Sequence, residues 1–323
     1  MTSTSTRRSF LTTSAGAVVG TTASTGLAAI NRLPASATQK AKEGLGKLRY
    51  CLNTSTIKIG KHPIEEQLEI AAGAGYDGVE LWLRDIDAFT ERGGKLPELK
   101  RRIDDLGLTV DSAIAFGKWI VDDEAERKKG LDQCRRDMEI VAALGGKRIA
   151  APPAGATNGS KLNLSDAAER YAALLDVGAS VGVQPQLELW GFSKNLSTLA
   201  EVLYVVAGAR HKDACLLLDV YHMYKGGDDF ESIGLVPGQK MHCLHINDYP
   251  ADPPRPLIKD EHRVYPGDGV APMTRILRSL VGGGFEGTLS LELFNRSYWQ
   301  QPAKQVAATG LAKMKACVAA AAE

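Results

Sequence analysis

The 323-residue sequence has few cysteines, and their arrangement argues against a disulfide framework. They are widely spaced, odd in number and include no C-x-x-C pair, whereas disulfide-rich chains have even and regularly spaced sets. Three of them lie in apolar runs, where a cysteine usually acts as a small buried hydrophobic residue. The five are Cys51, Cys134, Cys215, Cys243 and Cys317.

The sequence also lacks an excess of charge of either sign. The whole chain has 39 basic and 38 acidic residues. Residues 1–37 contain Arg7, Arg8 and Arg32 and no acidic residue, so the remaining body has 36 basic and 38 acidic side chains. Binding to nucleic-acid phosphates requires a basic surface, which a slightly acidic body does not offer. We therefore expect no nucleic-acid partner.

A strongly apolar run is missing from the N-terminus, although the segment has other features of a targeting sequence. The motif Arg7-Arg8-Ser9-Phe10-Leu11 precedes a weakly apolar stretch that is too rich in Thr and Gly for a good spanning helix. With the small residues Ala35-Ser36-Ala37 it resembles a twin-arginine export signal. We expect a signal at residues 1–37, a linker at 38–46, export to the periplasm or another extracytoplasmic space, and no membrane span after cleavage.

From residue 47 onward, short apolar runs alternate with longer segments of helical periodicity. This alternation is typical of a parallel sheet built from βα units. Strands are predicted at residues 48–52, 78–83, 109–114, 148–151, 186–190, 215–220, 241–246 and 288–294. Helices are predicted at residues 64–74, 96–106, 124–144, 165–181, 196–209, 230–233, 273–281 and 302–322.

Glycines mark the ends of several predicted helices. Gly75, Gly107, Gly145 and Gly182 each follow a helical segment and precede a strand, the usual place for a left-handed C-cap. Together with the eight strands, they predict an α/β fold consisting of a single (β/α)8 TIM barrel over residues 47–323.

Four late strands each carry one polar residue between apolar neighbours near the strand end. These residues are Glu188, Asp219, His245 and Glu292. In a TIM barrel the carboxyl ends of the strands surround the open mouth, so the four side chains are expected to converge. Buried carboxylates need a compensating charge, and three carboxylates with one imidazole suit Mn2+ or Mg2+ and tolerate Co2+ or Zn2+. The sequence therefore predicts one divalent metal ion, although each residue alone is compatible with an ordinary salt bridge or hydrogen bond.

Two further sets of residues have two readings each. Glu80 has the same local pattern on the second strand, and it either lines the pocket or forms an internal ion pair. Trp82, Trp119 and Trp190 lie near predicted strand ends. They either supply an apolar surface for a sugar ring or pack in the core and rim.

The order and spacing of the late motifs resemble the xylose isomerase-like superfamily. The motifs are Leu187-Glu188-Leu189, Asp219-Val220-Tyr221-His222, His245-Ile246-Asn247-Asp248, Arg263-Val264-Tyr265-Pro266-Gly267-Asp268-Gly269 and Glu286-Gly287-Thr288-Leu289-Ser290-Leu291-Glu292. Within that superfamily the chain is most similar to the sugar phosphate isomerase/epimerase branch, with its ketose 3-epimerases, hydroxypyruvate isomerases and inosose dehydratases.

The resemblance implies roles for individual residues. Glu188 and Glu292 would bind the metal and exchange a proton with the substrate, and Asp219 and His245 would complete the ligand set. His222 and Arg263 match residues that contact substrate oxygens. A small-molecule carbohydrate is the implied substrate, free or phosphorylated, and the resemblance is compatible with a homo-oligomer.

The chemistry expected of such a site is proton transfer next to a carbonyl through an enediolate, which gives a sugar isomerase or epimerase. A metal-dependent dehydratase or lyase acting on a keto-sugar or inosose is the main alternative, because the same intermediate can expel a leaving group. A non-catalytic carbohydrate-binding barrel is a second alternative, which two opposed glutamates disfavour. The related apurinic endonucleases need more histidine ligands than the six histidines here provide.

Overall fold

The computed structural model describes residues 42–57 and 61–323. The predicted export signal lies outside the described residues, as do residues 38–41 of the predicted linker. Eight strands form one sheet. They are β1 Arg49–Asn53, β2 Gly78–Trp82, β3 Thr109–Ile114, β4 Arg148–Ala151, β5 Gln184–Glu188, β6 Leu216–Asp219, β7 Met241–Ile246 and β8 Thr288–Leu291.

The strands run parallel in the order β3-β2-β1-β8-β7-β6-β5-β4. The two outer members of this order, β3 and β4, contact each other, so the sheet curves into a nearly closed barrel. Helices connect the strands, as right-handed βα crossovers require. The predicted (β/α)8 TIM barrel is therefore confirmed.

The helices surround the barrel. They are α1 Ile64–Ala74, α2 Leu83–Glu91, α3 Leu96–Asp105, α4 Glu124–Ala143, α5 Leu164–Val181, α6 Leu199–Gly208, α7 Val220–Gly226, α8 Met273–Gly282 and α9 Ala303–Ala322. The ends of α1 and α5 are as predicted, because Gly75 and Gly182 adopt φ values of 90° and 80°. Such left-handed C-caps cost a glycine little, since it has no Cβ.

Several boundaries differ from the sequence predictions. Strands β5 and β8 end earlier than predicted, so Glu188 is the last residue of its strand and Glu292 follows its strand. The helix predicted from residue 196 begins at Leu199, because Leu196 has a φ of 55° and the Thr198 side chain caps Glu201 N. The helix predicted at residues 230–233 is a 3-10 helix, Phe230–Leu235. Helices α2 and α7 were not predicted, because each starts directly after a strand.

Successive side chains of each strand face two different buried regions. In β7, Leu244 and Ile246 belong to the large core between the sheet and the helices, whereas Cys243 lies in a smaller cluster inside the barrel. Because successive strand residues point to opposite faces, His245 shares the interior side with Cys243. Among the described residues, no helix has the length and apolar character needed to span a membrane.

Candidate functional site

The four predicted ligand residues meet at the carboxyl ends of neighbouring strands. Glu188 and Asp219 end β5 and β6, His245 is the second-to-last residue of β7, and Glu292 follows β8. The strand register pairs Asp219 with His245. None of the four residues is more than 4% exposed. The structure thus brings all four side chains together in the barrel interior.

The imidazole of His245 lies at the centre of this group. Its Nδ1 is 3.2 Å from Glu292 Oε2, 3.6 Å from Asp219 Oδ2 and 3.8 Å from Glu188 Oε1. No well-aligned hydrogen bond satisfies this buried nitrogen within residues 42–57 and 61–323. Since buried polar atoms nearly always have a partner, a ring nitrogen that faces three carboxylates without one is a candidate metal ligand.

The spacing of these atoms fits a single cation. Ligand atoms of Asp219, His245 and Glu292 all lie within 4.8 Å of one another. Bonds of about 2.0–2.2 Å to one ion keep two of its ligand atoms within about 4.4 Å of each other. The three distances from His245 Nδ1 are inside that limit. With Glu188 as a fourth member, these residues could hold one divalent metal.

The charges of the group leave room for a cation. Two buried basic side chains, those of His245 and Arg263, lie among four buried carboxylates. These carboxylates belong to Glu80, Glu188, Asp219 and Glu292. Burial raises the pKa of Glu188 to about 8. Burial alone would also raise the pKa of Asp219, but the Arg263 guanidinium holds that pKa well below its usual range. The buried group therefore has an excess of potential negative charge, which a divalent cation would offset.

Glu80 lies on the other side of the His245 ring. Its Oε2 is 3.0 Å from His245 Nε2, although this approach is not aligned for a strong hydrogen bond. The same oxygen accepts hydrogen bonds from Asn53 Nδ2 at 2.9 Å and from Ser290 Oγ at 2.7 Å. Burial would lower the pKa of His245, but the carboxylates of Glu292 and Glu80 raise it well above its usual value. Of the two readings of Glu80, the structure favours the internal ion pair.

Cys243 is also close to Glu80 and His245, and the three residues form a second candidate group for a metal. Burial raises the pKa of the Cys243 thiol well above its usual value. In this second group His245 would bind through Nε2, which faces only Glu80 among the carboxylates, whereas Nδ1 faces three carboxylates. The group around His245 Nδ1 is the better candidate.

Arg263 connects the ligand group to His222. Its Nη1 donates hydrogen bonds to Asp219 Oδ2 at 2.8 Å and to Glu292 Oε2 at 2.9 Å. Its Nη2 lies 3.0 Å from His222 Nε2 and donates to Asp260 Oδ1 at 2.5 Å. Burial lowers the pKa of His222, so its imidazole is neutral near pH 7. Because Arg263 can only donate, His222 Nε2 accepts and Nδ1 carries the proton.

A pocket of about 450 Å³ opens onto this group. Glu188, Glu292, His222 and Arg263 all line it, whereas Asp219 and His245 do not. The other lining residues are Trp82, Ile114, Phe116, Trp190, Phe192, Lys259, Asp260, Glu261, Phe294, Arg296 and Trp299. Both glutamates and both predicted substrate-binding residues are therefore accessible to a small molecule.

The three tryptophans of the sequence analysis have different positions. Trp82 and Trp190 line the pocket, in agreement with the first reading. Trp119 lies in the core, where its Nε1 donates to Pro152 O at 2.9 Å and its ring packs against Tyr171. Sequence position alone could not separate these cases, because all three follow or end strands β2, β3 or β5.

Several supporting residues were not identified from the sequence. Asn53 donates to Glu80 and also to Glu292 Oε1 at 3.1 Å. Asn247 donates to Asp219 Oδ2 at 2.9 Å. Asn53 ends β1 and Asn247 directly follows β7, so the strand-end rule that selected the acids would also have selected both amides.

Comparison with known proteins gives a consistent set of matches. A family model described as "Xylose isomerase-like TIM barrel" matches residues 68–317. Among solved structures, the IOLI protein with a bound zinc atom has a TM-score of 0.78 and 23% identity, over 84% of this chain and 99% of that chain. At this identity the structural match shows the fold.

Two curated relatives are named for different activities. Inosose isomerase of Bacillus velezensis is 26% identical over 280 residues, which cover 84% of this chain and 97% of the relative. The 3-dehydroshikimate dehydratase of Pseudomonas putida is 26% identical over 252 residues, which cover 77% of this chain. That match spans only 39% of the dehydratase, so this chain corresponds to less than half of it.

Proposed function

The chain belongs to the xylose isomerase-like TIM barrel family, and on this premise we propose that it is a divalent-metal-dependent sugar isomerase or epimerase. The observation that carries the proposal is the set of three carboxylates around His245 Nδ1, with Glu188 and Glu292 also lining the pocket. A relative named inosose isomerase, matched over 97% of its length, supports the same reaction class. The substrate is a small carbohydrate with a carbonyl group.

In this proposal the cation is held by Glu188, Asp219, His245 and Glu292. The mainly oxygen ligands favour Mn2+ or Mg2+, and one imidazole also permits Co2+ or Zn2+. The zinc atom in the similar IOLI fold supports a divalent ion without fixing its identity here. When bound, the cation would offset the negative charge that develops as a proton leaves the carbon next to the carbonyl.

Glu188 is the best placed group to move that proton. It is buried and it lines the pocket, so its carboxylate is placed to reach a bound substrate. Glu292 is held more firmly, because Oε1 accepts from Asn53 and Oε2 accepts from Arg263. In epimerisation, Glu292 would return a proton to the opposite face of the carbon, whereas isomerisation would deliver it to the adjacent carbon.

Arg263 and His222 would orient the substrate. His222 lines the pocket and Arg263 contacts its Nε2, so the imidazole has a fixed position beside a bound substrate. Arg263 is 1% exposed and is held by three carboxylates, so its guanidinium has a fixed position. The basic groups of the pocket are thus partly neutralised within the protein. This favours an uncharged sugar over a phosphorylated one.

A dehydratase is the second candidate, and the relative named 3-dehydroshikimate dehydratase supports it. The chemical difference is small. If Glu188 in its protonated form gives the proton to a departing hydroxyl instead of to carbon, water is lost and an unsaturated product forms. The two reactions are distinguished by their products.

Deuterium wash-in from D2O tests the proposal. The purified chain is incubated with a panel of ketoses and an inosose, first with EDTA and then with added Mn2+, and products are followed by NMR and mass spectrometry. Exchange that needs the metal and leaves the carbon skeleton intact supports the isomerase or epimerase. Elimination products support the dehydratase. Binding without exchange would contradict both and support a carbohydrate-binding barrel.

The location of the enzyme outside the cytoplasm is also a proposal. The twin arginines Arg7 and Arg8 support export of the enzyme by the twin-arginine route, which carries folded proteins. A fusion of residues 1–46 to a reporter that works only after export tests this. We expect export with the natural sequence and its loss when both arginines are replaced by lysine. Export that survives the replacement would contradict the proposal.

A further inference from the structure

One side of the pocket is an unbroken row of aromatic rings. We call this row the aromatic arc, and its members in order of contact are Phe294, Trp82, Phe116, Trp190 and Phe192. Neighbouring ring centroids are 5.2 to 6.1 Å apart, in the range of favourable aromatic pairs. The last ring, Phe192, contacts His222 at a centroid distance of 5.4 Å, so the arc reaches the predicted substrate-binding residues.

The arc is connected to the candidate metal-ligand group through its second member, Trp82. Trp82 Nε1 donates to Asn53 Oδ1 at 2.9 Å, and Asn53 in turn donates to Glu80 and Glu292. The outer rings are open to solvent. Phe116 is 41% exposed and Phe192 is 43% exposed. The arc therefore extends from the reacting centre to the pocket mouth.

Other residues that line the pocket are charged. Asp260, Glu261 and Arg263 come from the segment after β7, and Arg296 comes from the segment after β8. Arg296 Nε pairs with Glu261 Oε2 at 2.7 Å, and Arg263 Nη2 pairs with Asp260. The lining thus consists of an apolar wall, the aromatic arc, and charged residues that meet this wall where Arg263 lies over the Phe294 ring at 5.0 Å. A ligand that fits it should have a corresponding apolar side.

A free monosaccharide would use only part of this wall. Its hydroxyl groups suit the polar residues near Glu188, and its C–H face can cover one or two rings. Two exposed phenylalanines at the mouth would remain in water, where large aromatic surfaces usually indicate a binding site. A volume of about 450 Å³ also falls in the range of about 300–1,000 Å³ that is typical of drug-sized ligands.

We propose that the substrate is a keto-sugar that carries a flat aromatic group, and that Phe116 and Phe192 bind this group. The proposal rests on the proposed function, because it places the sugar next to Glu188 and Glu292. It adds a substrate class, an aryl glycoside with a ring carbonyl. The flat group would lie along the outer arc, while the sugar occupies the inner pocket.

A binding experiment tests this without turnover. The affinities of phenyl β-D-glucopyranoside and methyl β-D-glucopyranoside for the chain are measured by calorimetry in the presence of Mn2+. The two probes share the sugar and differ in the flat ring. Stacking on the arc should make the phenyl glycoside bind about tenfold more tightly than the methyl glycoside.

Phe116 is the residue to change, because it is exposed and belongs to no part of the proposed catalytic group. In Phe116→Ala the preference for the phenyl glycoside should fall to about threefold or less, and Phe116→Leu should lie between this variant and the parent. Tyr204→Ala is the matched control, since Tyr204 is 51% exposed on α6 and does not line the pocket. Its preference should equal that of the parent.

Three results would overturn the inference: equal affinity of the parent for both probes, an unchanged preference in both Phe116 variants, or no binding of either probe. The proposed function can fail separately. Deuterium exchange into a ketose without an aryl group supports the reaction even if the phenyl preference is absent. Conversely, a phenyl preference that depends on Phe116 can occur in a chain that performs no exchange.

Discussion

The two halves of the barrel contribute different kinds of group to the site. Strands β5 to β8 supply the four candidate ligand residues, at their carboxyl ends or directly after them. Strands β1 to β4 supply none of these four residues. They contribute Asn53 and Glu80, which hold His245 and Glu292 in place, and Trp82 with the loop residue Phe116, which form part of the apolar wall.

In the proposed function, the late half would carry out the chemistry and the early half would position it. The late half has three candidate ligand carboxylates and two basic side chains, His245 and Arg263, so a divalent cation would offset the remaining negative charge. Groups in the early half already have partners within the protein, such as the hydrogen bonds of Glu80 from Asn53 and Ser290. We therefore expect changes in the late half to abolish the reaction and changes in the early half to weaken it.

The largest effect is expected for Glu188→Gln. The amide has nearly the same shape but cannot take or return a proton, so the rate of metal-dependent deuterium exchange should fall by about 10³-fold. The matched control is Glu286→Gln, which changes an exposed glutamate that pairs with Lys47 on the surface. The control should exchange at the parent rate. A Glu188→Gln variant within tenfold of the parent would remove Glu188 from the mechanism.

A smaller loss is expected for Arg263→Lys. Arginine makes a planar fork to Asp219, Glu292 and His222, whereas an ammonium group cannot reproduce this geometry. Displaced substrate oxygens should lower kcat/KM by about 10²-fold, while the metal content of the protein stays at the parent value. Kinetics and metal analysis of the same preparation check both parts. Loss of the metal together with activity would assign Arg263 to the metal site rather than to substrate positioning.

For the early half, Glu80→Gln should reduce metal affinity by about 10- to 100-fold. The amide oxygen would keep the hydrogen bonds from Asn53 and Ser290, but the negative charge beside His245 Nε2 would be lost, which makes the imidazole a weaker ligand. Competition with a chelator measures the affinity. Glu69→Gln, which changes a half-exposed glutamate paired with Arg102, is the control. Exchange at saturating Mn2+ should largely recover in Glu80→Gln, and a permanent loss of exchange would give Glu80 a direct role in the reaction.

The sequence predicted the late half better than the early half, and the reason is physical. An ionisable residue between apolar neighbours in a strand is costly to bury, so Glu188, Asp219, His245 and Glu292 were identified by their setting alone. The structure brings them together, while their roles remain predictions. Asn53 was missed because an amide followed by Thr54 and Ser55 is equally typical of an ordinary turn.

Boundaries were predicted less well where a helix follows a strand without a loop. Helix α7 begins at Val220, directly after Asp219, and the Asp219 side chain accepts a hydrogen bond from His222 N as an N-cap. An apolar run that continues through the junction looks like a longer strand, so the strand was extended to residue 220. The aromatic arc was also not predicted, because its rings come from segments that are distant in sequence.

The smallest effects, and the sharpest test of the distinction between the halves, come from one chemical change made at two tryptophans. Trp82→Phe and Trp119→Phe each delete an indole N–H that donates a hydrogen bond at 2.9 Å. Each acceptor would keep one other donor, because Ala154 N donates to Pro152 O at 2.8 Å and Ser55 N donates to Asn53 Oδ1 at 3.0 Å. The surroundings of the two rings differ, since Trp119 is 1% exposed in the core and Trp82 lines the pocket.

Trp119→Phe should therefore lower the free energy of unfolding by about 1–3 kcal/mol, because the smaller ring leaves a cavity in the core, and Trp82→Phe should lower it less, because Trp82 borders the pocket. Deuterium exchange should show the reverse order. Loss of the Trp82 bond frees the Asn53 amide that holds Glu292, so exchange should slow by about fivefold in Trp82→Phe, the rate equivalent of about 1 kcal/mol, and stay near the parent rate in Trp119→Phe. Urea denaturation and exchange rates of the same two proteins provide the comparison. If Trp119→Phe lowers both the free energy of unfolding and the exchange rate more than Trp82→Phe does, the early half of the barrel positions the site no more than the general core does.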